Sequence, residues 1–253
     1  MSARLRRLVA EFLGSALLAA VVVGSGIAAE RLSPSDVGLQ LLENALATAL
    51  ALPVLILLFI HISGAHFNPV VSLVDSALGM RSWRDTAAYI PVQVAGCIAG
   101  AVLANLMFGA TAVSWSIKER LTAGTFLAEV VATAGLVLVI FALARTGRAS
   151  VIPAAVGAYI GAAYFFTSST SFANPAITIG RMFSDSFAGI APSSSLGFIA
   201  AQLLGGVIGY AHVRYLYPRA TPAVANVALK AADLTIRAGS PAGAGSPGTA
   251  TRP

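Results

Sequence analysis

Two stretches decide how this chain folds: His61-Ile62-Ser63-Gly64-Ala65-His66-Phe67-Asn68-Pro69-Val70 and Ser168-Ser169-Thr170-Ser171-Phe172-Ala173-Asn174-Pro175-Ala176. In each, a run of small and polar residues leads into an Asn-Pro pair. Asparagine is a favoured helix N-cap, and proline suits the first helical position because that N–H has no partner anyway. Each pair therefore starts a helix, and the apolar segments that follow, residues 67–79 and 172–183, are short. A bilayer core of about 30 Å needs roughly 20 apolar residues per crossing, so these segments read as re-entrant. Irregular backbone at membrane depth is tolerated only where protein buries it or where it lines a cavity. Two such segments imply a cavity.

The flanking sequence supplies the membrane. Of the 253 residues, 57% are hydrophobic and 10% charged, against about 25% charged in ordinary soluble domains. Six apolar runs are long enough to cross: residues 8–29, 37–60, 86–108, 124–144, 150–167 and 196–217. The first follows Arg4, Arg6 and Arg7, as a secretory signal would. It exceeds the roughly 7–15 residues of a signal core and contains Glu11, so it reads as a retained span. The net charge of +6 is spread as single cations between apolar runs, which argues topology and not nucleic-acid binding. Arg4, Arg6, Arg7, Arg81, Arg84, Arg145, Arg148, Arg214 and Arg219 fall on one side, and Arg31, Lys118 and Arg120 on the other. The positive-inside rule then places both termini in the cytoplasm. A single cysteine, Cys97, excludes a disulfide framework and a cysteine metal site. No metal ion or cofactor is implied, and no catalytic Ser/His/Asp or Cys/His set is available. The organisation expected is a basic N-terminus (1–7), a membrane domain (8–219) and a disordered Gly/Ala/Ser/Pro-rich tail (220–253). Within that tail, residues 224–236 form a weakly amphipathic piece.

The membrane domain repeats. Ala10-Glu11, a second span and Asn68-Pro69-Val70 are matched by Ala128-Glu129, a further span and Asn174-Pro175-Ala176. The copies cover about 8–115 and 122–219, and three spans per copy give them opposite orientations. Inverted repeats place a site at their interface, near the midplane, with half-helix N-termini facing it. Converging N-termini concentrate positive potential, which suits a neutral solute and opposes cations. Glu11 and Glu129, at matching positions, are expected to accept hydrogen bonds from the loop N–H groups. His66 is expected to hydrogen-bond loop carbonyls, and His212 to be structural. The competing reading is a proton-coupled transporter that uses Glu11, Glu43 and Glu129 as relays.

These residues resemble the major intrinsic protein family, the aquaporins and aquaglyceroporins. Ser63-Gly64-Ala65-His66-Phe67-Asn68-Pro69-Val70 is similar to the first family signature and Phe172-Ala173-Asn174-Pro175-Ala176 to the second. The resemblance spans about residues 7–219. It implies an all-α membrane protein of six tilted helices and two half-helices, assembled as a homotetramer with one pore per subunit. It also implies passive transport of water or small uncharged solutes, and loop support by Glu11 and Glu129. Two departures stand out. Val70 replaces the alanine of the first motif, and Ile177 stands where the family usually has its constriction arginine. Counted without gaps, the other constriction positions fall on Thr48, Ala162 and Ser171, giving a wide, mostly apolar filter. The run from Phe172 to Arg181 resembles a bacterial subgroup associated with arsenic resistance. That likeness implies an inner-membrane location and neutral trivalent or methylated arsenicals among the solutes. Arg181, four residues after Ile177, falls in the outer vestibule, where it reads either as the partner of Asp185 or as a displaced filter arginine.

Overall fold

The computed structural model describes residues 2–218. Arg219, the tail 220–253 and its amphipathic piece 224–236 lie outside the described residues. Eight α-helices and one 3-10 turn make up the described chain, and it contains no strand. In order they are α1 (Ala3–Leu32), α2 (Val37–Ser63), α3 (Pro69–Ala77), α4 (Trp83–Met107), α5 (Ala123–Arg145), α6 (Ile152–Phe166), α7 (Pro175–Arg181) and α8 (Pro192–Leu216). The short turn Ala149–Val151 leads into α6. Six of these elements, all but α3 and α7, are long and apolar enough to cross a membrane. Four of the six starts are fixed by side chains, while α6 and α8 open on a proline in the first turn. Ser2, Asp36 and Ser82 accept from the backbone N–H groups of Leu5, Leu39 and Asp85, and Thr122 forms a reciprocal capping box with Thr125.

Helix packing repeats between the halves. In lipid no hydrophobic force draws helices together, so small residues that let backbones approach are favoured at interfaces. On α4, a Cβ at Gly96 would lie 2.5 Å from the carbonyl oxygen of Phe12, and one at Gly100 would lie 2.0 Å from that of Ala16. On α8, a Cβ at Gly205 would lie 2.5 Å from the Val130 carbonyl, and one at Gly209 would lie 2.8 Å from that of Ala134. The α1–α4 pair thus recurs as α5–α8. The seam between halves is α2 on α6, where Gly157 faces Pro53 and Gly161 faces Ala49. The half-helices α3 and α7 fill the space between the long ones. Gly180 of α7 lies against the Cys97 backbone of α4, and Gly206 of α8 lies against Val70 of α3. Polar residues are buried at the centre, including Glu11, Gln93, Glu129, Thr178 and Gln202. Leucines such as Leu42, Leu46 and Leu50 face outward, the inversion expected of a bundle in lipid.

One expectation about depth is corrected. Glu43, grouped above with Glu11 and Glu129, lies two turns from the start of α2 and accepts a 2.8 Å bond from the Ser33 hydroxyl at the α1–α2 corner. At 1.5 Å per residue that is about 9 Å from the helix end, not the bilayer centre.

Candidate functional site: a cavity between two asparagine caps

Asn68 and Asn174 are the N-caps of α3 and α7. Each Oδ1 accepts from its own first turn, Asn68 from Val70 N–H at 2.9 Å and Asn174 from Ala176 N–H at 3.0 Å. Each amide nitrogen donates across the repeat, Asn68 Nδ2 to the Ala173 carbonyl and Asn174 Nδ2 to the Phe67 carbonyl, both at 2.8 Å. This reciprocal exchange holds the two helix starts together. One of the two N–H donors on each amide is left over.

The loops before the caps are strained and held by carboxylates. Ala65, Phe67, Thr170, Ser171 and Ala173 have φ between 47° and 62°, a left-handed conformation that raises the energy of a non-glycine residue by roughly 1–2 kcal/mol. All five lie in these two loops, where the turn aims consecutive N–H groups at one buried carboxylate. Glu11 accepts from His66 N–H (3.0 Å), Phe67 N–H (2.8 Å), the Ser63 hydroxyl (2.6 Å) and Gln93 Nε2 (2.8 Å). Glu129 accepts from Phe172 N–H (2.8 Å), Ala173 N–H (2.8 Å) and Gln202 Nε2 (2.7 Å). Gln93 and Gln202 also donate to Ser72 and Thr178, each one turn beyond its cap. Both glutamines were missed from sequence. The signal was present as a repeated Gln-x-x-Gly-x-x-x-Gly, Gln93 to Gly100 and Gln202 to Gly209.

A cavity of about 200 Å³ runs past the joined caps and is lined by both asparagines. Its walls are single faces of long helices, with Thr48, Leu52, Ile56 and Ile60 from α2 and Ile152, Val156, Ile160 and Tyr164 from α6. Each row is spaced by four residues and spans about 18 Å at 1.5 Å per residue. Since α3 and α7 start together and diverge, one end of the cavity meets Asp75 and Met80, and the other meets Arg181.

Several sequence-derived positions line this cavity, namely Thr48, Ser171, Ile177, Asn68, Asn174 and His66. Pro69, Val70, Pro175 and Ala176 are buried in the first turns behind them. Ala162 requires correction. It is exposed on the outside of α6, because a two-residue step turns about 200° away from the row through Ile160 and Tyr164. Tyr164 takes its place, with its hydroxyl 3.1 Å from Thr48 Oγ1. The cavity wall beside Thr48 therefore carries a hydroxylated ring where a small residue was expected.

The expected partner of Arg181 changes. It is 2% exposed, its guanidinium carbon lies 3.4 Å from the centre of the Phe172 ring, and its Nε donates to the Ala188 carbonyl. Among the described residues no ion pair joins it to Asp185, whose carboxylate accepts the Ile117 N–H. At the opposite end His66 pairs with Ser72 Oγ (2.9 Å) and lies 3.4 Å from Asp75, in place of the loop carbonyls expected. Arg81 joins this cluster, bonding Asp75 at 3.1 Å and the Ser63 carbonyl at 2.8 Å. His212 reaches the Ile208 carbonyl one turn back on α8.

Six crossing helices, two half-helices meeting cap to cap and a cavity threading them define a membrane channel. The family model for Major intrinsic protein matches residues 1–173, and the chain belongs to that family. Its members are channels and not enzymes. The chain is 49% identical over 219 residues to Aquaglyceroporin AqpS of Rhizobium meliloti, covering 87% of this chain and 93% of that protein. It is 30% identical over 257 aligned residues to the Glycerol uptake facilitator protein of Pseudomonas aeruginosa, covering 85% and 90%. The X-ray structure of the aquaglyceroporin from Plasmodium falciparum shares the fold, with a TM-score of 0.67, 22% identity and coverage of 83% and 95%.

Proposed function

We propose that this chain is a passive channel for small uncharged solutes, namely water, glycerol-like polyols and neutral trivalent or methylated arsenicals. The observation that carries the reading is the cavity itself, an aliphatic wall interrupted by a few hydroxyl and amide groups. Thr48, Tyr164, Ser171, Asn68 and Asn174 offer a polyol successive partners, while the α2 and α6 faces accept its carbon side. The names of the relatives from Rhizobium meliloti and Pseudomonas aeruginosa fit that class. As(OH)3 is uncharged at neutral pH and similar in size to glycerol, which brings it into the same class. Thr48, Tyr164, Ser171 and Ile177 are assigned as the filter, Glu11, Glu129 and His66 as loop support. The protein is assigned to the bacterial plasma membrane as a homotetramer with cytoplasmic termini.

A coupled transporter would need carboxylates free to exchange protons. Both oxygens of Glu11 and of Glu129 are instead engaged by loop N–H groups and glutamine amides. The test is Ile177→Arg in proteoliposomes. The added guanidinium is expected to cut glycerol and arsenite flux far more than water flux. Equal loss of all fluxes would refute a filter at this position.

A further inference from the structure

At the Arg181 end of the cavity, three cations rest on one strip of backbone. Lys118 Nζ and Arg120 Nη2 donate to the Phe187 carbonyl, at 3.2 and 2.6 Å. Arg181 Nε donates to the Ala188 carbonyl, and Arg120 Nε donates to that of Gly189 at 2.6 Å. Both guanidiniums face the Phe172 ring, with carbons 3.4 Å (Arg181) and 5.4 Å (Arg120) from its centre. Among the described residues neither forms an ion pair. The surrounding carboxylates are committed elsewhere. Asp185 takes the Ile117 N–H, Glu119 the hydroxyls of Ser193 and Ser194, and Glu129 the Phe172 and Ala173 N–H groups. Asp75, the only carboxylate lining the cavity among the described residues, sits at the far end with Arg81.

A desolvated guanidinium held only by carbonyls and a ring is out of balance. Burying an ion is costly even after relaxation, and a cation–π contact returns only part of that cost. Neither Nη group of Arg181 hydrogen-bonds a described residue, and Arg181 lines the cavity. Ser171, the residue before the ring, is 3% exposed, lines the same cavity, and its Oγ has no hydrogen-bond partner. Unused donors of Arg181 and Ser171 therefore belong to residues that line one space.

We propose that this end of the cavity is a binding site for a small monovalent oxyanion of the carboxylate type, gripped by the Nη groups of Arg181 with the Ser171 hydroxyl as a further donor. A guanidinium fork matches a carboxylate in the bidentate geometry that makes such pairs strong and specific. Arg120 contributes the second positive charge and holds the carbonyl strip in place. Because Arg181 is enclosed, the ligand is a free anion and not a lipid headgroup. The anion would sit on the solute path and act as a plug, a consequence that rests on the channel reading above.

The test uses full-length protein in detergent, with formate as the probe and gluconate, a carboxylate too large for the site, at equal ionic strength. Formate is expected to raise Tm saturably above the gluconate value, Arg181→Gln to abolish the difference, and Ser171→Ala to weaken it several-fold. Equal Tm in the two salts, or a formate effect undiminished in both variants, overturns the site. In proteoliposomes, formate is expected to slow glycerol flux with the same midpoint as the Tm shift. Flux insensitive to formate while the Tm shift persists overturns the plug. Flux absent in both salts refutes the channel reading, and the Tm comparison still decides the anion site.

Discussion

Replacing Glu129 by glutamine tests whether one carboxylate holds the second pore loop. The carboxylate accepts from Phe172 N–H, Ala173 N–H and Gln202 Nε2, at 2.8, 2.8 and 2.7 Å, with the Ser169 hydroxyl as a further partner. Glutamine keeps one acceptor oxygen and turns an NH2 toward a backbone N–H that has nowhere else to go. An unsatisfied buried donor costs about 1–3 kcal/mol, and each bond that loses its charge assistance weakens by about 1 kcal/mol. The expected loss is therefore about 3–5 kcal/mol, a large share of the roughly 5–15 kcal/mol that stabilises a domain. The strained Ser171 and Ala173 backbones, with φ of 50° and 47°, lose their restraint along with it. The assay is thermal unfolding in detergent of Glu129→Gln, Gln202→Ala and the double variant, with glycerol flux measured on the same preparations. The two sites share a bond, so their effects are expected to be non-additive by about 1 kcal/mol or more. A Glu129→Gln protein with wild-type Tm and flux would refute the support role. Wild-type stability with loss of proton-dependent uptake would restore the coupled transporter.

Three further outcomes follow from the same coordinates. Gly100→Leu forces a side chain where even a Cβ would lie 2.0 Å from the Ala16 carbonyl; it is expected to cost more than the ~1–3 kcal/mol of ordinary overpacking and to show as loss of folded protein on size exclusion. Tyr164→Phe removes the hydroxyl 3.1 Å from Thr48 Oγ1, and is expected to change the glycerol-to-water flux ratio while Tm moves by only about 1 kcal/mol equivalent. The Ser193 and Ser194 hydroxyls hold Glu119 below its ordinary value of 4.5. A carboxylate depressed on folding contributes stability above its unfolded pKa and loses it as pH falls through the folded value. Glu119→Gln is expected to flatten the acid side of the Tm–pH curve, and an unchanged acid limb would count against this link.

The architecture was legible because its determinants are local. Asn-Pro after a small polar run sets a cap and a first turn by itself, and two copies in matched halves imply that they meet. Span length and charge asymmetry likewise need no tertiary knowledge. The filter was only partly legible, for a geometric reason. A gap-free count carries no information about helix phase, so it fell on Ala162, which points outward, and passed over Tyr164. The partners of Arg181 were not legible, because they are the Phe172 ring and the Ala188 carbonyl, seven residues downstream on a returning loop, and not Asp185. Gln93 and Gln202 were overlooked although their spacing to paired glycines repeats. A polar residue inside an apolar span becomes meaningful only with a partner, and the partners, Glu11 and Glu129, lie on other helices.

The cavity lined by Asn68 and Asn174 is the proposed path for uncharged solutes. Stopped-flow light scattering of proteoliposomes under an inward glycerol gradient measures this directly. Reswelling is expected well above that of protein-free liposomes, independent of pH and sodium gradients. Reswelling no faster than in protein-free liposomes, or faster only when a proton or sodium gradient is applied, would contradict it.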